Sequence, residues 1–83
     1  MDKILVEIKC PSTSQSYDFR ISKKLTAEEA LKKIVDEIRL YERNDKLFAD
    51  NAMLFSPRLN CILNPSMTMV ENSVCGGDVI VIM

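Results

Sequence analysis

Histidine and tryptophan are absent from this 83-residue chain, glycine occurs twice and cysteine three times. Without histidine a cysteine or serine nucleophile loses its usual base. The carboxylates are scattered along the chain rather than paired, so general acid–base work has no candidate site. The two glycines, Gly76 and Gly77, are adjacent, which leaves no glycine-rich loop to cradle a phosphate. Cys10, Cys61 and Cys75 are an odd set with no CxxC pair. A small secreted domain would carry an even disulfide framework, so free thiols in a reducing cytosol are expected. A zinc site lacks its fourth ligand. Long apolar runs are missing too: the opening MDKILVEIK interleaves charges, unlike a signal peptide or a membrane span. Charge of one sign is not in excess: the formal charge is −1 and no Lys/Arg cluster stands out, which argues against nucleic acid and against anionic membrane surfaces. These absences lead to the expectation of a cytoplasmic protein that is not an enzyme. It would have no catalytic, cofactor-binding or metal-binding residue, no cofactor, no nucleic-acid partner and no direct membrane insertion.

What is present is ordinary globular material: 47% of residues are apolar and 28% charged, too apolar for a disordered chain. The length suits one domain with a small core. Residues 3–9 alternate, with Ile4, Val6 and Ile8 on one face and Lys3, Leu5, Glu7 and Lys9 on the other, the period of a half-buried strand. The turn-forming run CPSTSQS at 10–16 leads into a second alternation at 17–21, with Tyr17, Phe19 and Ile21 inward. Together they predict an opening hairpin.

Thr26-Ala-Glu-Glu29 is a capping box, and Leu31, Ile34, Val35 and Ile38 follow at helical spacing. Lys32, Lys33, Asp36 and Glu37 take the opposite face, so the spacing predicts an amphipathic helix over 27–42. Residues 43–51 have no clean period and read as a loop. Short strands are expected at 52–56 and 60–63, with a proline turn at Ser56-Pro57-Arg58-Leu59 between them. Thr68-x-x-Glu71 can cap a single helical turn, and Gly76-Gly77-Asp78 makes a turn into a last strand at 78–83. The five methionines are expected mainly as core filling.

One amphipathic helix and about five strands make a two-layer α+β domain. The last strand, apolar on both faces, belongs in the middle of the sheet beside the first. With Ile80 and Ile82 inward, Val79 and Val81 point away from the helix and join Leu5, and Leu54 is the fourth candidate. The outer face of such a domain has no covering layer, so an apolar patch of Leu5, Leu54, Val79 and Val81 marks a protein-binding site or a homodimer interface.

This order of elements resembles ubiquitin and its relatives over essentially the whole chain, with residues 1–83 as a single ubiquitin-like domain. The ending MTMVENSVCGGDVIVIM is similar to the pattern T-L-x-E-x-G-I-x-x-G-D-x-L-x-L that closes the YukD/EsaB group of Gram-positive type VII secretion loci. Thr68, Glu71, Val74, Gly77, Asp78, Ile80 and Ile82 occupy its positions. Ser73 stands where the pattern often has glycine, which leaves Asn72 or Ser73 to make the bend. The resemblance implies a β-grasp fold, with the first and last strands parallel and Cys10 and Cys75 at opposite ends of the sheet, too far apart to bridge. It also implies a non-catalytic adaptor or regulator accessory to secretion, with secretion-system proteins as partners. The alternative is a covalently attached modifier or sulfur carrier. It is disfavoured because six residues follow Gly76-Gly77, and cleavage there would remove the expected central strand.

Overall fold

The alternating first quarter of the chain folds as expected into a hairpin. In the computed structural model, which describes residues 2–83, β1 (Lys3–Cys10) and β2 (Gln15–Ser22) pair antiparallel without a bulge. Cys10, Gln15 and Ser16 belong to the strands rather than to the loop. The connection is therefore tighter than the polar run suggested, and Ser14 turns it with φ +57°.

The helix, α1 (Ala27–Glu42), has the expected limits. The Glu29 amide donates to Thr26 Oγ1 at 3.1 Å and the Thr26 amide donates to Glu29 Oε1 at 2.9 Å, so both halves of the capping box are formed. Arg43 ends the helix in the left-handed region, its amide donating to the Arg39 and Leu40 carbonyls. The buried stripe is Ala27, Ala30, Ile34, Val35 and Ile38, with Leu31 half-buried. Arg39 is a second device. Its guanidinium donates to the carbonyls of Leu47 (2.7 Å) and Phe48 (3.0 Å) and so pins the aperiodic segment after the helix.

Three short strands complete the sheet: β3 (Leu54–Ser56), β4 (Cys61–Ile62) and β5 (Val79–Ile82). The order is β2-β1-β5-β3-β4, with β5 parallel to β1 and antiparallel to β3. The strand that is apolar on both faces does lie in the middle, because only there does each face meet a neighbour's side chains. Ile8, Ile80 and Ile34 are fully buried between sheet and helix, and Ile82 is 1% exposed. The result is the expected α+β arrangement, a five-stranded mixed sheet with one helix packed on one face. No helix among the described residues is long and apolar enough to cross a membrane.

Two expectations need correction. Leu54 is not on the outer face: it pairs with Ile82 across β3 and β5 and is 3% exposed, part of the core. Position along a short strand did not reveal its face, because that depends on pairing register. Among the methionines, Met69 fills the core, whereas Met53, Met67 and Met83 are exposed.

Candidate functional site

Strand register decides which side chains reach the uncovered face. β1 aligns with β5 as Glu7 beside Val79 and Lys9 beside Val81; β5 aligns with β3 as Val81 opposite Phe55; β3 aligns with β4 as Phe55 opposite Ile62. Lys9, Val81, Phe55 and Ile62 therefore form one cross-strand row on the outer face. Met53 and Met83 exchange backbone hydrogen bonds of 2.7 and 3.0 Å, which carries the β3–β5 register one pair further. Alternation from Leu54 and Ile82 puts both methionines on the outer face as well.

The structure thus brings Val79 and Val81 together as expected, and both are half-buried by their neighbours. Leu5 lies at the margin. Its carbonyl accepts from the Gly77 amide at 2.7 Å, one row away from Val79 and two from Val81. Leu54 drops out, and Phe55, Ile62, Met53 and Met83 enter. Leu5 (50%), Ile62 (48%), Met53 (42%) and Met83 (54%) are exposed well beyond a core residue. The patch is contiguous over the β5-β3-β4 half of the sheet. The β1-β2 half is polar, with Lys3, Glu7, Lys9, Asp18 and Arg20. Phe55 was not legible in the sequence: Met53 and Phe55 share a parity, so both or neither face outward, and nothing in so short a strand says which.

Beside the patch, Arg58 of the β3–β4 turn clasps Asp78 at the entrance of β5. Arg58 Nε and Nη2 lie 3.0 and 2.9 Å from the two carboxylate oxygens, and Nη2 also donates to the Ser73 carbonyl at 2.6 Å. Asp78 Oδ2 accepts from the Cys75 amide at 2.9 Å. The guanidinium hydrogen bond, aided by that amide, holds the Asp78 carboxyl below its ordinary value even though burial opposes it. Asp78 is thus a buried anchor rather than only a turn residue. Ser73 makes the bend with φ +63°, while the Asn72 side chain ties residues 64, 67 and 68 together. Thr68 and Glu71 form the expected capped turn, and the Thr68 amide lowers the Glu71 carboxyl.

Both carboxyls are depressed in the folded state, so the stability they confer is complete at neutral pH. It begins to fall near the ordinary carboxylate value of about 4 and is lost as pH drops through the folded value. Asp78→Asn keeps the shape and removes the charge. Urea melts should therefore separate it from the parent most widely at neutral pH, with the gap narrowing as the pH falls below about 4. A gap that does not narrow with acid would show that the carboxylate charge is not what holds this turn.

Elsewhere the surface offers less chemistry. A groove of about 540 Å³ runs along α1, floored by Leu31, Val35, Leu54 and Leu63 and rimmed by charges of both signs. Cys10 is buried, Cys61 and Cys75 are exposed, and all three are free thiols. Among the described residues no group of three His, Cys, Asp or Glu side chains is placed to hold a metal ion.

With this geometry established, comparison with known proteins defines the class. No protein-family model matches the chain, and no curated protein matches it. Solved structures do. A ubiquitin-like domain of EccD5 from Mycobacterium xenopi superposes with a TM-score of 0.82 at 15% identity, covering 100% of this chain and 94% of that one. A structure described as "Molecular Mimicry of SUMO promotes DNA repair" gives 0.79 at 14% identity, covering 100% and 92%. A ubiquitin-like domain of an Arabidopsis thaliana protein gives 0.70 at 18% identity, covering 100% and 78%. The chain has the ubiquitin-like β-grasp fold.

Proposed function

We propose that the chain is a non-catalytic, non-conjugated ubiquitin-like module that binds a protein partner through its outer sheet face. The observation that carries this reading is the contiguous patch of Val79, Val81, Phe55, Ile62, Met53 and Met83. An apolar face of this kind, bordered by polar residues, is the usual mark of a protein interaction site. Methionine at its edge suits it to partners of varied shape. The partner is a component of a Gram-positive type VII secretion system in the cytoplasm, and the chain acts there as an accessory or regulator. Two things support that setting: the YukD/EsaB-like ending from Thr68 to Ile82, and the likeness in fold to the EccD5 domain, which is part of a type VII secretion component.

The carrier alternative is disfavoured by the fold. Gly77 is a turn residue at φ +88°, and cutting after it would release β5, with Ile80 and Ile82 torn from the core.

Val81→Glu and Ile62→Glu should leave the far-UV circular dichroism spectrum largely unchanged and abolish capture of secretion-system components from the native host. If both variants fold and retain every partner, the patch is not the binding site. If the captured partners have no connection with secretion, the setting is wrong while the face remains the site. Intact mass of the native protein tests conjugation directly, since a carrier would lose its last strand or gain mass at a new terminus.

A further inference from the structure

The sheet has two ends. One is β4, a two-residue strand with little edge to offer. The other is β2, eight residues long and paired with β1 at every position. Natural sheets blunt such an edge with charged side chains, lysine above all, with proline, with a bulge or with an inward charge. The strand QSYDFRIS has no proline, glycine or lysine, no bulge and no inward-facing charge, and its two charges, Asp18 and Arg20, are of opposite sign.

Which backbone groups lie open follows from the hydrogen bonds of β1. The Glu7 amide donates to the Asp78 carbonyl at 2.9 Å and the Leu5 carbonyl accepts from Gly77, so odd-numbered residues of β1 turn towards β5. Their partners across the hairpin, Ser16, Asp18 and Arg20, are then the pairs not bonded to β1. Their amides and carbonyls point outward from the edge.

The side chains of those residues are charged in a self-complementary order. Asp18 lies across the hairpin from Glu7, a like-charge pair, and Arg20 lies across from Leu5, so neither has an opposite charge directly across from it. Neither forms an ion pair with its diagonal neighbour, Lys9 for Asp18 and Glu7 for Arg20. Like charges directly opposite are unfavourable and opposite ones favourable. Among the described residues the Arg58–Asp78 clasp is the only ion pair. A second β2 laid antiparallel along the first, with a two-fold axis at Phe19, puts Asp18 opposite the second copy's Arg20, and Arg20 opposite its Asp18. Ser16 meets Ser22. The same register pairs outward-pointing residues only with outward-pointing residues, so Asp18 and Arg20 each exchange both backbone bonds. At the axis each Phe19 stands opposite its own copy, on the helix side.

We infer that the β2 edge is a self-association site, on which a second copy of this chain adds antiparallel about Phe19 to make one continuous sheet. This interface is separate from the outer-face patch and does not depend on it. An edge contact is smaller than a standard interface, so the dimer is weak and concentration-dependent.

Sedimentation of the full chain from micromolar to millimolar concentration tests it. Asp18→Arg alone and Arg20→Asp alone should each weaken the dimer about tenfold or more, since each places two like-charge pairs across the axis. Mixing the two variants should restore association, and so should the double variant, because both arrangements re-create opposite-charge pairs. Amide exchange at Asp18 and Arg20 should slow as concentration rises, with no change at Val81. A chain that stays monomeric to millimolar concentration overturns the inference. So does a dimer indifferent to the single reversals, or one that neither the mixture nor the double variant restores. Protection of the Asp18 and Arg20 amides only when another protein is added would give the edge to a foreign strand and likewise overturn it.

Discussion

Ile80→Glu and Ile82→Glu are each expected to unfold the chain, whereas Val81→Glu, between them, leaves it folded. Ile80 is fully buried and Ile82 is 1% exposed, both facing α1 from the central strand. A carboxylate placed there has no partner: among the described residues the buried polar groups are Ser56 and Asp78, and Asp78 is already paired with Arg58. Leaving such a group unpaired in an apolar core costs several kcal/mol or forces it to bind a proton. A small domain has roughly 5–15 kcal/mol in total. Val81 points the other way and keeps contact with water, so its carboxylate stays solvated. Far-UV circular dichroism of the three variants measures the register of β5 directly, because a slip of one residue exchanges the two faces. A folded Ile80→Glu beside an unfolded Val81→Glu would overturn the pairing of Glu7 with Val79.

Ile34→Ala and Ile38→Ala should each cost about 2–5 kcal/mol, as large-to-small changes in a packed core do. The two side chains, 0% and 1% exposed, fill the space between α1 and the sheet, and in a close-packed interior cutting them back leaves a void. Ala30 is also fully buried, which shows how closely the helix backbone approaches the sheet and how little room there is for rearrangement. Lys33→Ala, on the solvent side of the same turn, should change stability by less than about 0.5 kcal/mol. Urea melts of the three variants decide the matter. Equal effects on the two faces of the helix would mean that its stripe is not the one packed inward.

The elements that could be read from residue order are those whose signal is local. Alternation at Ile4, Val6 and Ile8 and at Tyr17, Phe19 and Ile21 is a property of each strand alone. The limits of α1 follow from Thr26, Glu29 and the Leu31–Ile38 stripe, all within one helix. The central place of β5 followed from apolarity on both faces, which no edge strand in water tolerates. Loop limits were less sharp, since Cys10 and Gln15 are drawn into strands by pairing with each other rather than by their own propensity.

The candidate site divides along the same line. Leu5 could be assigned to the outer face because its own strand alternates, whereas Val79 and Val81 follow only once Ile80 and Ile82 are set inward, since β5 is apolar on both faces. Leu54 and Phe55 could not, because β3 has three residues and either parity fits so short a run. Their faces were settled by pairing with Ile82 and Val81. Arg58 reading Asp78 across 20 residues and Met53 meeting Met83 are of the same kind. Each is a contact between segments distant along the chain. Period, caps and turn residues act over a few neighbours, so they specify what each segment becomes; which side chain then meets which is decided only when the strands close on one another in a single register.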